Sequence, residues 1–234
     1  MRTSSLRRSL PAVFAAAFLP VLMGAGTCGL LLDFTETFLV TDPVDTIVIV
    51  TDDGNIDATA YERDAILLKR HTFGFEASLG KPEFSIEDGV ARYEVHCKYE
   101  GNCTFDHMFE LPFGIAFDIS MDHANIDIGY TDGDIEAEFD DGRFKGVRLA
   151  SPRVVVTADS ADVDLDFAVA PESVAVDLGE GEVILEVPAG DYRCTLAAAS
   201  GDVTTMGVTC LDSATAVLDV QVGDGDIVVM GTTP

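Results

Sequence analysis

The sequence predicts an all-β protein of the β-solenoid-like type, a parallel β-repeat with a less regular N-terminal half. Three observations support this prediction. The last third of the chain repeats one short turn–strand sequence pattern, here called a phrase, four times. The apolar residues at its matching positions are Val163, Val183, Val203 and Ile227, which lie 20, 20 and 24 residues apart. Each copy continues as a run of alternating polar and apolar residues, which is typical of a half-buried strand. Outside the predicted signal sequence, no stretch longer than about ten residues has the spacing of an amphipathic helix.

A single repeat shows why a period near twenty residues arises. Residues 154–158 favour a strand, residues 159–161 favour a turn, and residues 162–167 alternate between aspartates and apolar residues. Side chains on a strand point alternately to its two faces, so the apolar ones share one face. One repeat cannot bury that face alone, whereas a neighbour stacked on it covers the face and supplies backbone hydrogen bonds.

The first residues are predicted to be an export signal that is not part of the fold. Three arginines precede an apolar run over residues 11–23, and small residues follow it, so residues 1–28 have the pattern of a signal peptide. The alternative is an uncleaved membrane anchor over residues 10–32. Two prolines and the small residues after the apolar run favour cleavage.

Cys28 carries a further prediction about membrane attachment. The segment Ala25-Gly26-Thr27-Cys28-Gly29 resembles the lipobox of bacterial lipoproteins, in which the cysteine is lipidated and becomes the first residue of the mature chain. The resemblance implies a lipid anchor on Cys28. The alternative is an ordinary signal peptide with a cysteine that lies by chance near the cleavage site.

The other four cysteines are predicted to form disulfides, because an even number in an exported chain is typical of a disulfide framework. Their spacing favours the local pairs Cys97–Cys103 and Cys194–Cys210, although four cysteines permit three pairings. His96 and His107 flank the first pair in the pattern H-C-x5-C-x3-H, whose four side chains are all able to bind zinc. Oxidation is favoured over zinc because exported cysteines close in sequence usually pair.

The mature chain is strongly acidic. All 41 Asp and Glu residues lie after Cys28, while three of the 14 Lys and Arg residues lie before it, so the mature chain carries a net charge of −30. Nucleic acids and anionic lipid head groups repel such a polyanion. We therefore expect no nucleic-acid partner, and membrane attachment only through the N-terminus.

The acidity has two interpretations. Charged residues on outward strand faces keep a β-rich chain soluble and prevent edge-to-edge pairing. The alternative is Ca²⁺ binding, because this cation takes carboxylate and carbonyl oxygens as ligands. Candidates for metal ligands are Asp132, Asp134, Asp224 and Asp226, and similar Asp/Gly clusters occupy residues 52–57 and 140–142. None of these clusters has the spacing of an EF-hand loop, and no cofactor is expected.

The chain is expected to contain four consecutive segments. These are the signal sequence at 1–28, a linker at 29–40, an irregular β-repeat portion at 41–151, and the regular repeats at 152–234, continuous with the preceding portion. Within the irregular portion, residues 46–51 are predicted to form a strand. Residues 83–99 are predicted to form a hairpin around Asp88-Gly89. Residues 64–70 are able to form a short helix, although their neighbours favour a strand.

Short repeated phrases resemble a known family. Residues 109–114 (FELPFG), followed by Ile126-Asp127-Ile128 and Gly133-Asp134-Ile135, look like the x-V-P-x-G … G-D-V-x-V phrasing of bacterial β-strand-repeat domains of unknown function. Residues 185–192 and 199–203 repeat the phrasing. Members of this family are labelled putative adhesins and are similar to the head domains of putative autotransporter adhesins. The resemblance covers about residues 40–231, and it implies a secreted or envelope-attached parallel β-repeat scaffold without established catalytic residues.

Catalytic motifs are not found in the sequence. There is no G-x-S-x-G motif, and none of the four histidines lies in H-E-x-x-H, so the histidines are expected to be ordinary, partly exposed residues. We predict a non-catalytic, adhesin-like display or binding scaffold of the cell envelope, either a lipoprotein of the outer membrane or surface or a secreted protein. Its acidic side chains or corner loops would contact a surface glycan or an envelope protein.

Two other functions stay open at this point. One is an enzyme that acts on polysaccharide with carboxylates carried on a β-helix, and the other is a purely structural envelope module. Two or three carboxylates that converge in a cleft would favour the enzyme, because glycosidases need carboxyl groups at a defined separation. Acidic side chains that are evenly spaced along the surface and face the solvent would favour the binding protein.

Overall fold

Every regular element of the protein is a β-strand in the computed structural model, which describes residues 30–99 and 103–233. The strands are β1 (Leu31–Val40), β2 (Thr46–Ala60), β3 (Ile66–Phe75), β4 (Glu83–Glu87), β5 (Val90–Val95), β6 (Cys103–Leu111), β7 (Ala116–Gly129), β8 (Ile135–Leu149), β9 (Arg153–Phe167), β10 (Ser173–Glu180), β11 (Val183–Pro188), β12 (Asp191–Ser200), β13 (Val203–Met206), β14 (Thr209–Cys210), β15 (Val217–Asp224) and β16 (Ile227–Thr232). The all-β prediction is confirmed. Within the described ranges, no helix is long and apolar enough to cross a bilayer. The predicted signal sequence and Cys28 lie outside the described residues.

Most strands pair in parallel and align in eight rows of matching register. From one end of the sheet to the other, the rows are β5 with β6, then β2, β7, β8, β9, β10 with β11, β15 with β16, and β12 with β13. Neighbouring strands in a sheet lie about 4.8 Å apart, so eight rows extend over roughly 34 Å. The sheet as a whole is mixed, because antiparallel strands are added at its N-terminal end.

The four repeated phrases lie side by side, but not in chain order. Val183 pairs with Val163 on one side and with Ile227 on the other, and Ile227 in turn pairs with Val203. The last copy in the sequence is therefore inserted between the second and the third. At the other end of the rows, β2 likewise lies between β7 and the row formed by β5 and β6. β2 and the row formed by β15 and β16 thus have hydrogen-bonded neighbours on two sides, which opposes fraying.

Each long strand changes its burial phase at one aligned position. In β9, Val156 and Ala158 are buried, Asp159 and Ser160 are both exposed, and burial resumes at Ala161. Two consecutive outward residues shift the alternation by one, so the apolar side chains of both strand halves are buried. β2, β7 and β8 change phase at matching positions. We call this line across the rows the corner.

The core is a continuous stack of apolar side chains contributed by successive rows. Leu165, Leu185 and Val229 occupy matching positions and are fully buried. Burying a side chain of this size contributes about 1.5–3 kcal/mol relative to leaving it exposed. The last row is less protected, since β13 pairs only with β16 and Val203 is 43% exposed.

Antiparallel strands form the N-terminal end of the sheet. β3 pairs with β6, and β1 pairs with β3 over its whole length. The strand prediction for residues 64–70 is therefore confirmed from Ile66 onward. The linker prediction for residues 29–40 is wrong over β1, because its Phe, Thr and Val residues favour a strand and β3 offers a free edge. The predicted hairpin is also confirmed, with positive φ angles at both Asp88 and Gly89.

Two disulfides lie in the two outermost rows. Cys97–Cys103 joins the segment after β5 to the start of β6, and Cys194–Cys210 joins β12 to β14. Both predicted pairs are present, so Cys97 and Cys103 are bonded to each other instead of forming the alternative zinc site. A row at the end of the parallel stack lacks a parallel neighbour on one side, and a covalent bridge there limits local unfolding.

Candidate binding site at the corner

Small residues occupy the corner in seven consecutive rows. In the order of the rows, these residues are Gly54, Ala124, Gly142, Ala161, Gly181, Gly225 and Gly201. The rows approach each other too closely for larger side chains, since a Cβ atom on Gly142 would overlap the backbone carbonyl of Ala124. The φ angle of Gly142, +134°, also favours glycine. The corner is therefore a line of small residues with larger side chains on either side of it.

A groove of about 460 Å³ lies on the corner where β6, β2, β7 and β8 are adjacent. Gly54, Ala124 and Gly142 have at most a methyl side chain, so they leave this space open. The other lining residues are Asp53, Asn55, Thr104, Asp106, His123, Asn125 and Asp141. We call this site the corner groove.

Hydrogen bonds between neighbouring strands hold the amide side chains of the corner groove. Asn55 donates to Asp106 Oδ1 from both its Nδ2 atom, at 2.6 Å, and its backbone N–H, at 3.2 Å. Asn125, which pairs with Asn55 in the register, donates from Nδ2 to Asn55 Oδ1 at 3.0 Å. Three successive strands therefore contribute one chain of polar contacts. Because each side chain is fixed by its neighbour, its remaining donors and acceptors are oriented in advance.

His123 bridges two carboxylates on the opposite side of the corner. Its Nδ1 lies 2.9 Å from Asp53 Oδ1, and its Nε2 lies 2.9 Å from Asp141 Oδ2. These residues occupy the same position in three adjacent rows. The His123 side chain is 65% exposed, so this part of the corner groove is open to solvent. The site therefore combines a histidine, amides and carboxylates within one solvent-accessible surface.

Two further histidines lie between carboxylates of neighbouring strands. His71 contacts Asp33 at 2.8 Å and Asp106 at 3.5 Å, and the hydrogen bond with Asp33 is the main cause of its raised pKa. His96 contacts Asp52 at 2.5 Å, and this hydrogen bond likewise raises the pKa of His96. The protonated forms of both histidines are favoured because they offset the local negative charge.

Asp122 lies beside the corner groove among other carboxylates. Burial raises the pKa of Asp122, and the negative charges of Asp52, Asp140 and Asp53 raise it further. Like charges in adjacent rows disfavour ionisation of one another. The row register therefore brings the acids at the corner close together.

The four predicted metal ligands do not converge. Asp132 accepts a hydrogen bond from the backbone N–H of Gly114, and Asp134 contacts Arg153 Nε at 3.4 Å. Asp226 accepts a hydrogen bond from the backbone N–H of Asp202 at 2.8 Å, and Asp224 lies on the other side of Gly225 in the corner. In the described part of the chain, no group of three or more His, Cys, Asp or Glu side chains is arranged to hold a metal ion. Calcium binding stays a prediction.

The corner groove was only partly predictable from sequence. Asp53 and Asp141 belong to the Asp/Gly clusters at residues 52–57 and 140–142, whereas Asp106, His123 and Asn125 lie in no such cluster. A signal for Asn125 was present, since Gly54-Asn55-Ile56-Asp57 and Ala124-Asn125-Ile126-Asp127 are similar phrases whose residues pair in register.

The expectation that all four histidines are partly exposed is wrong for His107, which is 2% exposed. It occupies an inward position of β6 between Phe105 and Phe109 in the alternation. The alternation of β6 is therefore the signal that predicts its burial.

Comparisons with known proteins show that this chain is similar in fold to a solved structure. No protein-family model matches the chain, and no curated protein sequence matches it. A solved structure described as a putative cell adhesion protein from Clostridium sporogenes ATCC 15579 matches 86% of this chain and 100% of its own, with a TM-score of 0.51 and 12% identity. A putative adhesin from Bacteroides fragilis NCTC 9343 matches 85% of this chain and 97% of its own, with a TM-score of 0.34 and 12% identity. Only the first of these two scores supports an argument about fold, and it confirms at the level of fold the similarity that the repeated phrases indicate, here to a protein described as a putative cell adhesion protein.

Proposed function

We propose that the chain is a non-catalytic, adhesin-like binding protein of the cell envelope and that the corner groove binds a neutral surface glycan. In this proposal the parallel rows act together as a stiff, solenoid-like scaffold, although neighbouring rows do not follow one another in chain order at either end. The observation that carries the proposal is the set of pre-oriented carboxylate, amide and imidazole groups that four adjacent strands present around a floor of small residues. A volume of about 460 Å³ is within the range of small-molecule binding sites.

The chemistry of the corner groove suits the hydroxyl groups of a sugar. Each hydroxyl both donates and accepts hydrogen bonds. Asp53, Asp106 and Asp141 provide acceptors, whereas Asn125 provides both donors and acceptors. A neutral glycan is favoured over an anionic one because the mature chain carries a net charge of −30. An envelope protein with a polar surface is the other partner that fits this chemistry.

Export of the chain is supported by its disulfides. Cys97–Cys103 and Cys194–Cys210 need an oxidising compartment, which is typical of extracellular and surface proteins. Within that location, we propose attachment to the membrane through a lipid on Cys28. Mass spectrometry of the mature N-terminus tests this proposal. A mature chain that begins with a free amino group after Cys28 would exclude the lipid anchor.

The glycan proposal is tested by screening the purified protein against an array of neutral oligosaccharides and by calorimetry of any glycan that binds. We expect Asn125→Ala and Asp106→Ala to weaken binding about fivefold or more, because each removes hydrogen bonds within the site. Asp177→Ala is the matched control, since Asp177 is exposed on β10 outside the corner groove. Circular dichroism and the Tm of each variant check that the fold is retained.

Two outcomes would reject the glycan proposal. The first is that no neutral oligosaccharide binds, which would favour a protein partner or a purely structural module. The second is that Asp177→Ala weakens binding as much as the two variants in the corner groove, because the interaction would then depend on general charge.

Hydrolysis of polysaccharide is a second candidate function, and one observation favours it. The raised pKa of Asp122 beside Asp52 and Asp140 is a property that general acids of glycosidases share. If this function is correct, polysaccharide incubated with the protein would release reducing ends, and Asp122→Asn would abolish the release. Binding without release would favour the adhesin-like function instead.

A further inference from the structure

A second concave site lies at the N-terminal end of the sheet and shares no residue with the corner groove. It is a partly enclosed cavity of about 170 Å³ between the antiparallel strands β1 and β3 and the hairpin of β4 and β5. Phe38, Leu68, Pro82 and Phe84 form most of its apolar wall. The wall therefore favours an apolar ligand, because contact with the wall removes the apolar surface of the ligand from water.

A buried arginine forms the polar end of this cavity. Arg70 is only 3% exposed, although arginine is almost never buried without partners. Its guanidinium forms an ion pair with Glu36 and donates from Nη1 to Tyr93 Oη at 2.7 Å. The rings of Phe38 and Tyr93 lie 5.7 and 5.8 Å from the guanidinium carbon. These contacts fix the guanidinium at the cavity.

One donor of Arg70 has no acceptor. Its Nε atom is buried and forms no hydrogen bond with any described residue. An unpaired buried donor costs roughly 1–3 kcal/mol, and more when it belongs to a charged group. Arg70 and Tyr93 both line the cavity, so a ligand acceptor placed at this polar end would add a hydrogen bond that the protein does not supply itself. Tyr93 accepts from Arg70, so its own hydroxyl proton is able to interact with the same ligand group.

The charge at the polar end favours a neutral ligand. Glu36 already balances the charge of Arg70. An anion would have to displace Glu36, and the net negative charge of the chain would also repel it. A cation would be repelled by the positive charge of the Arg70 guanidinium. The ligand group is therefore neutral and contains a hydrogen-bond acceptor.

The size of the cavity and its walls define the rest of the ligand. A dry apolar cavity of about 150 Å³ is large enough to bind benzene in other proteins. The rings of Phe38, Phe84 and Tyr93 favour another aromatic ring through edge-to-face or offset contacts. We propose that this cavity binds a small neutral aromatic molecule that carries one hydroxyl or carbonyl group, with the ring against Phe38 and Phe84 and the polar oxygen at Arg70.

Four one-ring probes test the ligand class by NMR titration of the purified protein. They are benzyl alcohol, toluene, benzoate and benzylamine, which differ only in the group attached to the ring. We expect benzyl alcohol to bind about tenfold more tightly than toluene, because only the alcohol supplies an acceptor for Arg70. Benzoate and benzylamine are expected to bind more weakly than benzyl alcohol. The proposal is overturned if no probe binds, or if a charged probe binds as tightly as benzyl alcohol.

Substitution of one aromatic wall residue tests the location. Phe84→Ala removes part of the wall, and Phe84 is 46% exposed, so the fold should tolerate the change. Phe113→Ala is the matched control, because Phe113 is 49% exposed and does not line the cavity. We expect at least a tenfold loss of benzyl alcohol binding for Phe84→Ala only. Equal binding by the two variants would place the ligand elsewhere and overturn the proposal.

Discussion

Replacement of His107 by leucine is expected to change how the stability of the protein depends on pH. His107 faces inward on β6, where it pairs in the register with Ile56. Its ring lies edge-on to Tyr93 and stacks on Phe109. Neither ring nitrogen has a hydrogen-bond partner of good geometry within the described residues. Burial lowers the pKa of His107 to about 4, and the positive charge of Arg70 contributes to this shift.

The size of the effect follows from the two pKa values. The pKa of His107 is 6.5 in the unfolded chain and about 4 in the folded protein. The unfolded chain therefore binds the proton more tightly, so stability is lost as the pH falls from 6.5 towards 4. A difference of about 2.5 pKa units corresponds to roughly 3 kcal/mol in total, and about 2 kcal/mol of this is already lost at pH 5. For a protein of ordinary stability, about 5–15 kcal/mol, this is a large fraction.

Urea denaturation followed by circular dichroism measures this effect. The free energies of unfolding of the wild-type protein and of His107→Leu are compared at pH 7.5, 6.5, 5.5 and 5.0. At pH 7.5 the variant should be at least as stable as the wild type, because leucine buries no unpaired nitrogen. Its advantage should grow by about 2 kcal/mol by pH 5.0. Comparison of the two proteins at each pH cancels the titration of the 41 acidic residues that they share.

Two results would refute this reasoning. One is a difference in stability that does not change with pH, and the other is an NMR titration in which His107 ionises near pH 6.5. Either result would mean that the imidazole is solvated in the folded protein.

Three further predictions concern other parts of the molecule. His71→Leu should show the opposite trend. Because the pKa of His71 is raised in the folded protein, its stabilisation is complete below pH 6.5 and is lost as the pH rises through the folded value. In urea denaturation, the free energy of unfolding that the variant lacks relative to the wild type should therefore shrink from pH 6 to pH 8.5. Removal of the disulfide by Cys194→Ala with Cys210→Ala should lower the free energy of unfolding by about 3 kcal/mol on the loop-entropy model. Amide hydrogen exchange should increase first in β12 and β13, and a uniform increase over the whole protein would contradict a local role of the disulfide. Gly181→Ala should destabilise the protein by more than about 1 kcal/mol, because its φ is +134° and a Cβ would overlap the Ala161 carbonyl, whereas Gly190→Ala, which has free space, should change thermal stability by less than about 0.5 kcal/mol.

The sequence predicted the local structure well, because local structure depends on neighbouring residues. Alternation between two faces identified the strands, and Asp88-Gly89 identified a hairpin turn whose positive φ angles favour these residue types. It also identified both disulfides, because the paired cysteines are close along the chain. It failed at β1, where strand-favouring residues at 31–40 lack any repeat phrase and form a strand only because β3 provides a partner.

The composition of the corner groove depended on tertiary structure. Asp106 is adjacent to Asn55 although 51 residues separate them, and Asn125 is adjacent to Asn55 across 70 residues. The cavity at Arg70 likewise forms only where β1, β3 and the β4–β5 hairpin meet. No local pattern contains these distances, so neither site was predictable as a whole.

By itself, the sequence determined that the chain is all-β, strongly acidic and built from repeated strand–turn–strand phrases, since these properties depend on residue type and on spacing along the chain. Only the tertiary structure decided the order of the rows, in which residues 217–232 lie between two earlier segments. The physical reason is that parallel strands are held by backbone hydrogen bonds, which are the same for every residue type. Any repeat with the same alternation is therefore able to pair with any other, and packing of the whole core selects the arrangement.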